Sequence, residues 1–485
     1  MTLARWIKIP YNPRVLNCPF NRELKIAIKF MEICGGGWKP MIRKWMVTGA
    51  GLLWIALGLG TGAGNLYAVP QAPAAQDQAK PAYTLAEYNA YKDADGEQNP
   101  AQRITKLDAF VKQYPNSSLM PYVYRDYYTT AMATKNYAQA IDYADRMIAL
   151  GDKIDPQGRL EAYYTRAQAF YLGSNDKAFQ VPDFLTKARD TAIAGLKALD
   201  DVKKPDAVAQ DQFDKQKMAI SVLFNTIAAM TSTTLKDYAA AAGYYKAVLA
   251  LDSSDAVSHY RLGVVDLQMT PPVATEGLWE LSRAIALKAP SSPQVQAYLK
   301  NQLTRYQQPA CDKLVDDQVN ELLTLAAGAP TMPATLNIPS AADLQKARDD
   351  TANFLPNLKA GGDAGKIMWL ASCGLEYPDV GVRVMVAPVV DGDNVTLKVF
   401  RGATPEEIEA ATDPNMEVHI VDQPEAKRLE KDAVVRFTGT LTGYTQSPFM
   451  LTWDKAKINL EDLPEEKAAP GKKGPAKKAP AKKAE

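Results

Sequence analysis

The stretch Lys236–Gly263, KDYAAAAGYYKAVLALDSSDAVSHYRLG, restricts the fold more than any other part of the chain. It reads as a helix, a short turn and a second helix. Ala241 and Gly263 place small side chains where two helices must approach closely. Tyr245, Val248 and Leu249 continue the face of Ala241, and Leu262 precedes Gly263. A helix pair of this kind cannot bury its apolar face alone, so neighbouring pairs must stack on it.

Related spacings recur upstream. Tyr128 and Ala140 stand 12 apart, as do Ala229 and Ala241. Ile141, Ala144, Met147 and Ile148 extend the buried face from Ala140. Tyr163, Ala167 and Phe170 share one face, and Ala188, Ala192 and Leu196 another. The hairpins fall at about 84–114, 119–150, 157–200, 206–251 and 256–289. Thr84 and Glu87 have capping-box spacing at the start of the first. The long interval from Ala140 to Ala167 implies an insertion near Asp155–Gly158, and an extra pair of residues falls at Pro271-Pro272. Leu278, Leu281 and Ala284 complete the fifth hairpin.

These residues resemble the tetratricopeptide repeat, a helix–turn–helix unit of about 34 residues. Ala241 and Gly263 are 22 apart, as the late and early small residues of successive repeats are in that family. Tyr114-Pro115-Asn116-Ser117 is similar to the close of repeats in bacterial cell-envelope members. The resemblance covers 84–290 and implies a mainly α, helix-hairpin solenoid that holds another protein. It implies repeat packing at Ala140, Ala167, Ala229, Ala241, Leu262 and Gly263. It also implies a partner groove on the inner face of the first helices: Arg125, Thr129, Tyr164, Gln168, Tyr171, Tyr260, Val264 and Gln268. Tyrosines offer apolar area with a polar tip, which suits a peptide or partner helix. The alternative for these eight is packing between helices. The family's Lys/Asn clamp for a terminal carboxylate has Tyr260 and Val264 in its two positions in the fifth repeat, so a chaperone-tail ligand is not implied.

Further helices are expected at 293–307, 311–327 and 341–373, broken at Pro356, with a Pro-rich stretch over 330–339. Residues 291–375 read as a helical cap on the open end of the solenoid. The period changes to two at Pro378. Val382, Val384 and Val386 alternate, Asp391-Gly392-Asp393-Asn394 makes a hairpin turn, and Val395, Leu397 and Val399 follow. A short helix at 405–412 and strands at 416–421, 433–443 and 449–453 complete a small β domain over 376–464. Residues 433–460 resemble the closing hairpin of an OB-like barrel. The helix falls between the second and third strands, whereas OB order puts it between the third and fourth. Strand alternation puts Arg383, Lys398 and Arg436 on a solvated face, with an OB-type ligand surface as the sharper alternative. Trp453 reads as core, His419 as a residue on the face of the β domain, and His259 as a core or half-buried histidine.

Charge separates the ends from the middle of the 485 residues. The formal net charge is +1, yet residues 1–45 carry roughly +7 and 467–485 roughly +6, leaving an acidic body. Residues 1–40 read as an upstream extension. From Met41 the order Arg43-Lys44, an apolar run over 46–59 and small residues up to Ala68 reads as a signal peptide at 41–68. The rival is an inner-membrane anchor spanning 46–66. A Pro/Ala/Gln linker occupies 69–83, and a disordered Lys/Pro/Ala tail 465–485. Lys472, Lys473, Lys477, Lys478, Lys482 and Lys483 suit an anionic envelope component or, in a chain that is not exported, nucleic acid. The tail's plain alternative is a solubilising segment.

Cys311 and Cys373 lie beyond the leader and are candidates for one disulfide, the alternative being two buried free thiols. With four Cys, two His and no CxxC or HExxH, a zinc site of the common kinds has few ligands. Gly361–Lys366 is similar to part of a phosphate loop but lacks the preceding strand. No catalytic motif or cofactor is expected. The expected function is a non-enzymatic periplasmic or cell-envelope scaffold for protein–protein interaction. The alternatives are a nucleic-acid-associated protein using the β domain and tail, and an enzyme accessory subunit.

Overall fold

The computed structural model describes residues 82–392, 394–402 and 404–464. The expected extension, signal peptide, most of the expected linker and the Lys tail with Lys472, Lys473, Lys477, Lys478, Lys482 and Lys483 lie outside these residues. The described chain is mostly helical, followed by a mixed sheet of six strands.

The helices come in antiparallel pairs with specific starts and stops. α1 (Leu85–Asp95) opens on Thr84, whose hydroxyl accepts from the Glu87 amide in a full capping box. α2 (Pro100–Gln113) is capped by Asn99 and carries Pro100 at its first position, where no amide is needed. Then follow α3 (Met120–Ala133) with α4 (Tyr137–Ile148), and α5 (Pro156–Gly173) with α6 (Pro182–Asp201). α7 (Gln210–Thr234) pairs with α8 (Tyr238–Leu251), and α9 (Ala256–Gln268) with α10 (Ala274–Ala286). Two of the tight turns use the same local solution. Lys135 and Lys236 take left-handed φ of 61° and 64° after α3 and α7. In each turn that residue's amide and the next bond back to the closing helix as a Schellman motif, and Asn136 or Asp237 then caps the next helix.

From α1 to α10 each helix packs on the helix before and after it. In addition α3 packs on α5, and α5 on α7, so the first helices of the second, third and fourth pairs touch. Between α9 and α10 two glycines face each other. A Cβ on Gly263 would lie 2.7 Å from the Gly277 carbonyl oxygen, and one on Gly277 3.0 Å from that of Gly263. The two residues tacked in at Pro271-Pro272 lengthen the turn without displacing this contact.

Two compact units divide the chain. One runs to Leu299 and takes in Glu321–Leu336; the other holds Lys300–Asn320 and the chain from Asn337. α11 (Ser292–Gln307) and α12 (Asp312–Gly328) contribute to both. In the second unit, α13 (Ala341–Asp349), α14 (Phe354–Ala360) and α15 (Gly362–Ser372) precede the sheet. The break expected at Pro356 falls instead at Asp350 and Gly361. Pro356 lies in the first turn of α14, where a missing amide costs no intrahelical bond. Gly361, at φ 69°, leaves room for the Gln446 side chain, which donates to the Ala360 carbonyl at 3.2 Å. The glycines that resemble a phosphate loop thus receive a strand turn.

The strands are β1 (Glu376–Val384), β2 (Val389–Asp391), β3 (Asn394–Phe400), β4 (Met416–Ile420), β5 (Val434–Thr445) and β6 (Met450–Ile458), with α16 (Pro405–Ala410) between β3 and β4. β1 begins before Pro378, which sits at an irregularity in its pairing with β5, a position that tolerates proline. The order is β1-β5-β6-β4-β3-β2, β4 and β6 run parallel, and β1 also pairs with β3 at Arg383↔Phe400. Inward residues such as Val382, Leu397, Val418, Phe437 and Trp453 form one apolar cluster with Leu355 and Leu358 of α14 and Met368 of α15. The helices read as a solenoid cap therefore include two that share the core of the sheet.

Candidate functional site

The eight expected groove residues sit on α3, α5 and α9. None is fully exposed. Arg125, Thr129, Tyr171, Tyr260, Val264 and Gln268 are half-buried, whereas Tyr164 and Gln168 are buried, at 9% and 8% exposure. Tyr164 and Gln168 therefore belong to the packing. Tyr164 is enclosed by α7 and by the α6–α7 connection, which a residue-spacing argument cannot see.

Arg125 lies over the Tyr122 ring, 5.6 Å from its centroid. Burial opposes its charge, but Glu161, Tyr128, Tyr91 and Asp126 outweigh this and hold it above the usual arginine range. The Tyr128 hydroxyl donates to Glu161 Oε1 at 2.8 Å. α3 and α5 are thus joined by a buried polar cluster that residue spacing does not reveal. Tyr171 is raised by burial, with Arg261 and Asp255 of the α9 region acting on it in opposite senses. The packing residues Ala140, Ala167, Ala229, Ala241, Leu262 and Gly263 are all buried.

One apolar cleft lies between α5, the end of α6 and the start of α7. Its cavity measures about 40 Å³, with Leu160, Tyr164, Val202, Val208, Phe213 and Ile220 among its walls. The connection that closes it is held by Lys204, whose ammonium donates to the carbonyls of Val208 at 2.8 Å and Pro205 at 3.2 Å.

Three buried acids were not legible as special residues: Asp126, Glu161 and Asp266. Each lies within a buried helical stripe, and that stripe membership was the available signal. Asp126 is ion-paired with Arg103 at 3.3 Å, yet burial pushes its carboxyl up to about 6. Asp266 is 1% exposed, and neither carboxylate oxygen has a hydrogen-bond partner among the described residues. Burial pushes it up to about 7, Lys246 pulling against this while Glu280 and Glu276 add to it.

His259 is buried and bonds to Glu280 through Nδ1 and to the Ser253 carbonyl through Nε2 at 3.1 Å, as a packing residue would. In the second unit, His419 lies on the outward face of the sheet between Asp454, 2.7 Å from Nδ1, and Glu417, 2.9 Å from Nε2. Burial works against its charge, but the two carboxylates prevail and raise it. Of the three basic residues expected on a solvated face, only Lys398 is exposed. Arg383 donates to the carbonyls of Ala411 at 2.6 Å and Glu409 at 3.3 Å, at the end of α16. Arg436 forms a two-pronged pair with Asp462, at 3.0 and 3.1 Å. Their charges are engaged within the chain, by partners remote in sequence. Trp453 is core, edge-on to Tyr377 and Phe437.

Cys311 and Cys373 form a disulfide, with Cα atoms 5.6 Å apart, joining the start of α12 to the end of α15. Among the described residues no cluster of His, Cys, Asp and Glu is arranged to hold a metal ion, and no helix is long and apolar enough to cross a membrane. No protein-family model matches the chain, and no curated protein is similar enough to count as a relative.

Proposed function

We propose that this chain is an exported, non-enzymatic scaffold of the tetratricopeptide kind, holding another protein along the face made by its first helices. The observation that carries this reading is the contact of α3 with α5 and of α5 with α7, added to strict packing of each helix on its neighbours. That pattern is the one expected of a linear stack, with a shared face over α3, α5 and α7 that α9 would continue. Arg125, Thr129, Tyr171, Tyr260, Val264 and Gln268 are the residues left at its surface. The basic tail, in this reading, holds the scaffold near anionic envelope components.

The second unit reads as an OB-like barrel. Pairing runs from β1 to β5, β6, β4 and β3 and returns to β1, a closed circuit. With β1 and β2, which pair end to end along β3, counted as one interrupted strand, the 3₁₀ turn Pro424–Arg428 occupies the place that OB order gives its helix. Against the nucleic-acid alternative stand Glu417 and Asp454 on the outward face and the burial of Phe437 and Trp453, since single-strand binding needs basic and aromatic surface.

The test is affinity capture with the full chain, with a chain lacking 84–290, and with a chain carrying Thr129→Arg and Gln268→Arg. One partner retained by the first and lost from the other two is expected. A partner set unchanged by the deletion refutes the scaffold. An N-terminus determined near Val69 on the protein from bacterial cells supports export with cleavage, and an intact Met1 or Met41 refutes cleavage.

A further inference from the structure

The seam between α9 and α10 closes over a carboxylate that has nothing to bond to. Asp266 is 1% exposed, and neither of its oxygens has a hydrogen-bond partner among the described residues. The helices can meet there because Gly277 has no side chain. A Cβ on it would lie 3.3 Å from Asp266 Cβ and 3.0 Å from the Gly263 carbonyl oxygen. The Asp266 carbonyl also ties the connecting turn, accepting the amide of Val273 at 3.0 Å and that of Met269 at 3.4 Å.

Charge decides what such a seam tolerates. A buried carboxylate without donors is far costlier ionised than protonated, so a fold that encloses one keeps it neutral or opens it to water. The charged groups acting on Asp266 come from both helices packed on α9. Lys246 of α8 favours the ion, whereas Glu280 and Glu276 of α10 oppose it. Lys246 and Glu276 are exposed, and Glu280 is bonded to His259 Nδ1. Two acids against one solvated cation leave an ionised Asp266 repelled across the seam. α9 also carries Tyr260, Val264 and Gln268, three of the six expected groove residues that stay at the surface.

We propose that the α9–α10 pair is a pH-operated gate: it is shut while Asp266 carries a proton and opens at the 269–273 turn as that proton is lost, releasing a partner held on Tyr260, Val264 and Gln268. The gate follows from the burial of Asp266; its partner rests on the scaffold reading. The direction follows from linkage. The closed form holds the proton more tightly than the open form, so closure is favoured at low pH and lost as pH rises through about 7.

The test is hydrogen exchange on the full chain at pH 6 and pH 8, read as protection factors so that the intrinsic rate cancels. With values of about 7 closed and 3.8 open, the opening equilibrium rises about tenfold between these conditions. Protection over residues 264–280 should therefore fall about tenfold in wild type, with α6 amides unchanged, and should not fall in Asp266→Asn. Glu276→Lys, at an exposed position, puts a second cation opposite Asp266 and should reduce the fall, which decides the matter even if the asparagine variant does not fold. No fall in wild type, an equal fall in Asp266→Asn, or an undiminished fall in Glu276→Lys overturns the gate. In capture at pH 8, a partner kept by Asp266→Asn and lost from wild type is expected, and retention by both breaks the link to the groove. The exchange experiment requires no partner, so failure of the gate and failure of the scaffold give separate results.

Discussion

Asp266 gives the most direct test of how the last helix pair is held. Its carboxyl is 1% exposed on α9, against Gly277 of α10, with both oxygens unpartnered among the described residues. The folded value of about 7 stands above the ordinary 3.8, so the folded chain holds this proton more tightly than the unfolded chain does. Its contribution to stability is fully present below pH 3.8 and is lost as pH rises through 7. Linkage with these two values gives a loss of about 2.6 kcal/mol between pH 5 and pH 8. Asp266→Asn keeps the shape and removes the titration. Urea unfolding at both pH values, for wild type and variant, reads the difference, and hydrogen exchange of α9 and α10 amides localises it. Other groups also titrate, Asp126 among them, but they cancel between the two proteins. The expected result is a variant that gains on wild type by about 2–3 kcal/mol on moving from pH 5 to pH 8. Equal pH dependence in the two proteins refutes the reasoning.

Two further substitutions probe the packing and the cross-link. Gly263→Ala places a methyl group 2.7 Å from the Gly277 carbonyl oxygen and 3.0 Å from the Leu281 amide nitrogen, and should cost about 1–3 kcal/mol in urea unfolding. Gly243→Ala, where nothing lies within 4 Å, should instead stabilise α8 by up to about 1 kcal/mol; equal effects at the two sites would undo the close-approach account. Replacing Cys311 and Cys373 together by serine opens a loop of 62 residues and should destabilise the second unit by about 4 kcal/mol in the chain-entropy account. An unchanged urea midpoint would mean the cross-link contributes nothing.

The helix pairs were legible because their signals are local. A capping box at Thr84 and Glu87, and small residues such as Ala229 and Ala241 at hairpin spacing, need only a few turns of chain to act. The strands announced themselves by alternation, and the hairpin closes at Asp391↔Asn394 as its turn residues require. Pro356 misled because a proline breaks a helix interior yet suits a first turn, and sequence does not say which turn it occupies. The sharing of Leu355, Leu358 and Met368 with the sheet was hidden for another reason. An amphipathic helix displays an apolar stripe without naming the surface that covers it.

The same distinction decides which side chains are available to a partner. Arg383, Lys398 and Arg436 look alike on alternating strands, yet only Lys398 stays exposed, because the carbonyls at the end of α16 and the carboxylate of Asp462 reach the other two from 28 and 26 residues away. Arg125 looks like a groove cation but stands among Glu161, Asp126 and three aromatic rings. Tyr164 is withdrawn for a different reason: its register suggested an open groove, and its burial against α7 and the α6–α7 connection removes it from that surface. Position on a helix therefore sets which face a residue occupies. Whether that residue can bind depends on which of its polar atoms the fold has already engaged.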